Sequence, residues 1–227
     1  MNLPPFDVSK KERLDMTISR DQIIVWIKDY AAVIAENKEY LTGLDSAIGD
    51  ADHGINMNRG FQAVLTKLPA FENQDIGSIA KNIGMVLIST VGGASGPLYG
   101  TLFMQIGKET AGKLELTLND WIAALDSAIN GVMMRGKANL GDKTMLDTLI
   151  PALNTLKDCS AKGTQLIDAL TAAEKSAEEG MLSTTPLVAK KGRASYLGER
   201  SAGTQDPGAT SSYYLLKTAA HAFGNSA

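Results

Sequence analysis

Apolar residues return along this chain at intervals of three and four, the spacing of one face of an α-helix. Ile23, Ile27, Tyr30 and Ile34 form one stripe; Met57, Phe61, Val64 and Leu68 form another, stopped by Pro69. The period recurs at Ile76, Ile79, Ile83 and Val86, at Leu98, Leu102 and Ile106, and at Trp121, Leu125, Ala128 and Val132. It continues at Leu146, Leu149, Leu153 and Leu156, where Pro151 predicts a kink, and at Leu166, Ile167, Leu170 and Ala173, where Gly180 predicts the end. Tyr213, Leu216 and Ala220 carry the last stripe. Start signals agree with these stripes. Ser19 with Gln22 and Thr117 with Asp120 have capping-box spacing, and Asp206-Pro207 sets an N-cap before a proline at the first helical position. No stretch keeps the two-residue alternation of a strand. The expectation is an all-α protein of eight helices in one domain, residues 19–227. Residues 1–18, with Pro4, Pro5 and Lys10-Lys11-Glu12-Arg13, are expected to form a flexible N-terminal arm.

Composition then removes function classes. The 227 residues are 44% hydrophobic and 21% charged, ordinary globular values. Lys and Arg number 22 against 25 Asp and Glu, a net charge of −3 that offers no basic footprint for nucleic acid or an anionic membrane. No apolar run approaches the roughly 18 residues of a membrane span, and no secretory signal opens the chain, so a cytoplasmic location is expected. One cysteine, Cys159, cannot form an internal disulfide; with only His53 and His221, a Cys/His zinc site is disfavoured. Any metal chemistry would use oxygen ligands.

The connections between helices are rich in Gly, Asp, Ser and Thr. Examples are Gly49-Asp50-Ala51-Asp52-His53-Gly54, Gly92-Gly93-Ala94-Ser95-Gly96-Pro97, Gly141-Asp142-Lys143-Thr144 and Gly203-Thr204-Gln205-Asp206-Pro207-Gly208. Such loops bring backbone N–H groups close to a ligand just ahead of a helix N-terminus, where the dipole favours an anion. Asp45, Asp50 and Asp52 form the sharpest cluster: crowded carboxylates repel unless a cation shares them, and hard oxygen donors select Mg²⁺ or Ca²⁺. An EF-hand register fails, because its glycine and closing Glu positions fall on Ile55 and Phe61. A solvated acidic turn is the competing account. The Gly92–Pro97 run fits either a phosphate-cradling nest or a tight helix corner. Arg193 fits either a phosphate contact or a surface turn, and His53 a metal ligand, a phosphate donor or a cap. Gly131 to Ala138 nearly matches a P-loop, but Ala138 replaces the required hydroxyl.

These same loops carry a resemblance. Leu44 to Gly54, Gly92 to Gly100, Gly141 to Met145, Gly192 to Arg200 and Gln205 to Ser211 resemble, in order, the ADP-binding subunit of bacterial, phosphotransferase-system-dependent dihydroxyacetone kinase. The resemblance implies an antiparallel eight-helix barrel with nucleotide and two Mg²⁺ ions at one end. It implies metal ligation by Asp45, Asp50 and Asp52, and nucleotide contacts from His53, Gly54, Ile55, Asn56, Ala94, Ser95, Gly136, Met145, Arg193, Asp206, Pro207 and Gly208. It also implies partners: a substrate subunit holding dihydroxyacetone covalently, and a phosphohistidine protein that recharges ADP to ATP in place. A split ATP-dependent ketose kinase, or an ADP-dependent coregulator of a transcription activator, are the alternatives it leaves. No catalytic residue is expected on this chain.

Overall fold

The computed structural model describes residues 16–224, and the run of Pro4, Pro5 and Lys10 to Arg13 lies outside them. The fold is helical, with nine α-helices among the described residues: α1 (Arg20–Glu36), α2 (Lys38–Ile48), α3 (His53–Lys67), α4 (Ile76–Thr90), α5 (Ser95–Glu109), α6 (Leu118–Gly136), α7 (Leu146–Ala161), α8 (Leu166–Ser183) and α9 (Pro207–Gly224). Short 3₁₀ turns cover Leu68–Ala70, where Pro69 follows α3, and Arg193–Ser201. Two strands, β1 (Ile18–Ser19) and β2 (Glu115–Leu116), pair antiparallel. Ile18, placed by the sequence in the arm, is fully buried in this ladder opposite Leu116.

From α3 to α8, short connections favour antiparallel neighbours, and the longer 184–206 connection then leads into α9. Packing proceeds from α3 through α4, α5, α6, α7 and α8 to α9, which returns to α1, while α1 also meets α3. The stripes read from the sequence face inward. Trp26, Trp121 and Phe223 meet edge to face at 5.3–5.5 Å, and Tyr30 meets Phe61 at 4.6 Å. Each such side chain, buried, contributes roughly 1.5–3 kcal/mol. The Trp26 indole N–H donates to Leu215 O at 2.9 Å, so its burial leaves no orphan donor.

The helix that periodicity missed is α2. Its buried positions are Leu41, Asp45 and Ile48, a helical stripe with a carboxylate at its centre. Asn37 separates it from α1, with its Nδ2 donating to Val33 O. A second difference lies in α8, which runs past Gly180 to Ser183. There a Cβ would strike the backbone of Asp147 in α7, so this glycine permits close helix packing and ends nothing. At Pro151, α7 continues as one helix, although the ring has no N–H to donate to Asp147 O.

Candidate nucleotide and metal site

Antiparallel order sends the N-termini of α3, α5, α7 and α9 to the same end of the bundle. They surround a cavity of about 390 Å³. Asp45, Asp50, Asp52, His53, Ala94, Ser95, Gly136, Met145, Arg193, Asp206, Pro207 and Gly208 all line it. Gly54, Ile55 and Asn56, on the first turn of α3, stand outside that lining, although the Asn56 amide lies against the Gly92-Gly93 loop. Gly54 faces α2, where a Cβ would meet Lys38 O and Thr42 Oγ1. Ile55 points to solvent, 49% exposed, and Asn56 is buried, its Oδ1 accepting from Arg59 Nη2 at 2.8 Å.

Asp45 is held by its place on α2 beneath the start of α3. Its Oδ2 accepts the backbone N–H of Asp52 at 2.8 Å and of His53 at 3.1 Å, tying down two of the free donors of α3. Ala51, between the other two aspartates, takes a left-handed φ of 61°, a strained turn for a residue with a Cβ. The outcome is that Asp45, Asp50 and Asp52 bring one oxygen each within 4.8 Å of one another. An all-carboxylate set with no nitrogen or sulfur suits a hard divalent cation, so these residues fit Mg²⁺. Arg193 Nε reaches Asp50 Oδ2 at 3.0 Å, drawing the 3₁₀ turn across the cavity mouth.

The loop before α5 supplies a different element. Gly93 has φ +63°, a conformation glycine adopts without strain, and Ala94 lacks a side-chain cap for the helix it starts. The N–H groups there are left for a ligand, as in an anion-binding nest. Ser95 is fixed from behind: its Oγ lies 3.0 Å from His53 Nδ1, and His53 Nε2 lies 2.9 Å from Ser211 Oγ. Ser211 in turn meets Tyr99 OH at 2.8 Å, and Tyr30 OH donates to Ser211 O. Burial lowers the His53 pKa to about 4, against the opposing pull of Asp45, so the ring is neutral near pH 7. Both of its nitrogens are taken by hydroxyls, which makes it the support of Ser95.

Three groups at this end are not singled out by the sequence. Asp147 accepts Gly141 N at 2.6 Å and Thr144 N at 2.7 Å, shaping the loop that enters α7; the Thr144-to-Asp147 spacing is that of a cap. Lys143 lines the cavity from a buried position. Leu98, Val132, Ala138 and Leu146 form, with Met145, an apolar wall. Asp206 is buried, and burial lifts its pKa to about 7; Asp147 and Asp45 add to the shift, while Ala209 N–H and Lys143 oppose it.

Comparison with known proteins identifies the family. The DAK2 domain family matches residues 47–221. The ADP-binding subunit DhaL of the PEP-dependent dihydroxyacetone kinase of Escherichia coli (strain K12) is 49% identical over 202 residues, covering 89% of this chain and 96% of that one. The ADP-binding subunit of the PTS-dependent enzyme of Lactococcus lactis is 39% identical over 198 residues, covering 87% and 95%. The fold is also that of the C. freundii dihydroxyacetone kinase crystallised with AMP-PNP and Mg²⁺, at a TM-score of 0.67 and 23% identity. That match covers 97% of this chain but only 37% of the larger polypeptide. No described helix is long and apolar enough to cross a membrane. With the family match extending over most of the chain and two-fifths to half of the residues shared with these subunits, the chain belongs to the DAK2-domain family, alongside the ADP-binding subunits of bacterial dihydroxyacetone kinases.

Proposed function

We propose that this chain is the nucleotide-carrying subunit of a cytoplasmic dihydroxyacetone kinase. It keeps ADP or ATP with two Mg²⁺ ions as a bound coenzyme, receives a phosphoryl group from a phosphohistidine protein, and delivers it to dihydroxyacetone on a separate subunit. The supporting observation is the convergence of three carboxylates, four helix N-termini and Arg193 on one cavity. Asp45, Asp50 and Asp52 would hold the cations. When bound, Mg²⁺ neutralises phosphate charge and polarises the transferring group. The helix starts and the Gly93 loop offer N–H donors to phosphate oxygens, and Arg193 offers a guanidinium at the mouth. The apolar wall of Leu98, Val132 and Leu146 suits a nucleobase.

The cavity's titratable groups have other work. His53 supports Ser95, and Asp206 receives the Ala209 N–H of α9. Deprotonation of a ketose hydroxyl therefore falls to the partner subunit. The test is to denature the purified protein and count ADP per chain, then titrate ADP calorimetrically with and without Mg²⁺. About one tightly held ADP, released when Mg²⁺ is chelated, is expected. Equal affinity without Mg²⁺ overturns the carboxylate assignment. Steady product from this chain with ATP and dihydroxyacetone alone overturns the division of labour. Rapid exchange of bound ADP for ATP during turnover would favour a split ATP-dependent kinase.

A further inference from the structure

Lys143 is 1% exposed, although it lines the cavity. Its Nζ donates to Thr204 O at 2.6 Å, Ser201 O at 2.7 Å and Leu187 O at 3.0 Å, with Thr185 O at 3.5 Å. All four oxygens belong to the single connection between α8 and α9, two from its start and two from its end. An ammonium brings three N–H donors and no acceptor, which matches a cage of carbonyls that no neutral side chain would satisfy. Among the described residues Lys143 makes no ion pair. The same base is knitted by Gly203 N to Thr185 O at 2.8 Å, by Ala189 N to Ser201 Oγ at 2.9 Å and by Asp206 N to Thr184 Oγ1 at 3.0 Å.

The tip of this connection is built differently. Gly192 and Gly198 take φ of 65° and 54°, Tyr196 is 88% exposed, and Arg193 reaches the body of the protein through its exposed ion pair with Asp50. A tip held this lightly points in a defined direction only if its base is fixed.

We propose that Lys143 is a positioning residue: its ammonium clamps the two ends of the 184–206 connection so that Arg193 is presented to the nucleotide phosphates. The proposal rests on the nucleotide reading above, and its test separates the two. Trypsin sites Lys190, Lys191, Arg193 and Arg200 all lie on the connection. In nucleotide-free protein with native helix content, Lys143→Met should speed cleavage there about tenfold. With Mg²⁺ present, the same change should weaken ADP binding about tenfold in the natural background but less than about threefold beside Arg193→Ala, because the two act through one contact. Unchanged cleavage, or losses that multiply fully, would overturn the clamp. Should Lys143→Met fail to fold, hydrogen exchange on the unaltered protein decides. Amides at 187–190 and 202–206 should be slow with or without ADP, and those at 192–199 slow only with it. A base that exchanges as fast as the tip refutes the proposal. A protein that binds no ADP refutes the nucleotide reading, while cleavage still judges the clamp.

Discussion

Two aspartates open helices at opposite ends of the bundle, and their surroundings give them opposite responses to pH. Asp75 starts α4 near the surface, accepting Ser78 Oγ at 2.6 Å, Gly112 N at 2.9 Å and Ser78 N at 3.1 Å. Led by the Ser78 hydroxyl, these donors hold its pKa below the ordinary carboxylate value. Asp206 starts α9 in the interior, accepting Ala209 N at 2.7 Å, and burial beside Asp147 and Asp45 carries it up to about 7. One cap favours the charged form and the other the neutral form. The contrast extends in part to the helices around each. Away from the cavity, Ser19, Asp75 and Thr117 cap their own helices, two of them through complete capping boxes. At the cavity, the N-cap residues of α3, α5 and α7 provide no side-chain cap. Caps and bare starts occur at both ends, since Gln165 gives α8 no side-chain cap and Asp206 caps α9; what sets the cavity end apart is its crowd of carboxylates, Asp45, Asp50 and Asp52, beside the uncapped start of α5.

The strongest way to break this comparison is to titrate it. The folded pKa of Asp206, about 7, lies above its unfolded value of 3.8. Its stabilising contribution is therefore complete below the unfolded value and is lost as pH rises through 7, a swing of up to ~4 kcal/mol. His53 runs the other way, because its pKa of about 4 lies below 6.5 and its contribution is lost as pH falls between those values. The unaltered protein alone would blur the two, so the difference from Asp206→Asn isolates one. Asparagine keeps an oxygen for Ala209 N–H without the charge. Denaturant unfolding of nucleotide-free protein should show the variant gaining on the natural protein by up to ~4 kcal/mol from pH 4 to pH 8. A pH-independent difference would mean Asp206 is not the buried neutral cap described here.

A smaller effect sharpens the same contrast. At Gly54 a Cβ would collide with the backbone of α2, so Gly54→Ala should destabilise by about 1–3 kcal/mol. By pushing α3 off α2 it should also separate Asp52 from Asp45 and lower Mg²⁺-dependent ADP affinity. Loss of affinity at full thermal stability would instead make Gly54 a direct nucleotide contact.

The sequence made the body of the fold legible because most helices follow a simple rule: apolar on one face, cap before, breaker after. It failed where a residue serves the site in place of the core. Asp45 interrupts the apolar stripe of α2, so that helix escaped notice although its metal-ligand candidate did not. Gly180 reads as a terminator, and only the approach of the Asp147 backbone explains it as a packing residue. The family motifs bring most of the expected site residues to one cavity; Ile55 faces solvent, while the Asn56 amide lies against the Gly92-Gly93 loop that borders it. Lys143 was invisible for another reason. Its partners are backbone oxygens far along the chain, and backbone oxygens leave no mark in residue types.

The smallest expected effect tests the end remote from the cavity. Asp75→Ala removes the acceptor for Ser78 N and Gly112 N, but both lie near water, which replaces part of the loss. The cost should be about 1 kcal/mol, the usual value of an N-cap, or about 2–4 °C in Tm for a chain of this size. Because the Asp75 pKa is lowered, its contribution is present above the unfolded value of 3.8 and lost as pH falls through the folded one. The Tm difference between natural and variant proteins should accordingly shrink in strong acid, opposite in sign to the Asp206 trend. ADP affinity, measured calorimetrically with Mg²⁺, should not change, since Asp75 lies at the start of α4 and no residue of that helix lines the cavity. A clear loss of ADP binding in Asp75→Ala would show that the two ends are coupled through the helices, and that capping remote from the ligand also sets the geometry of the site.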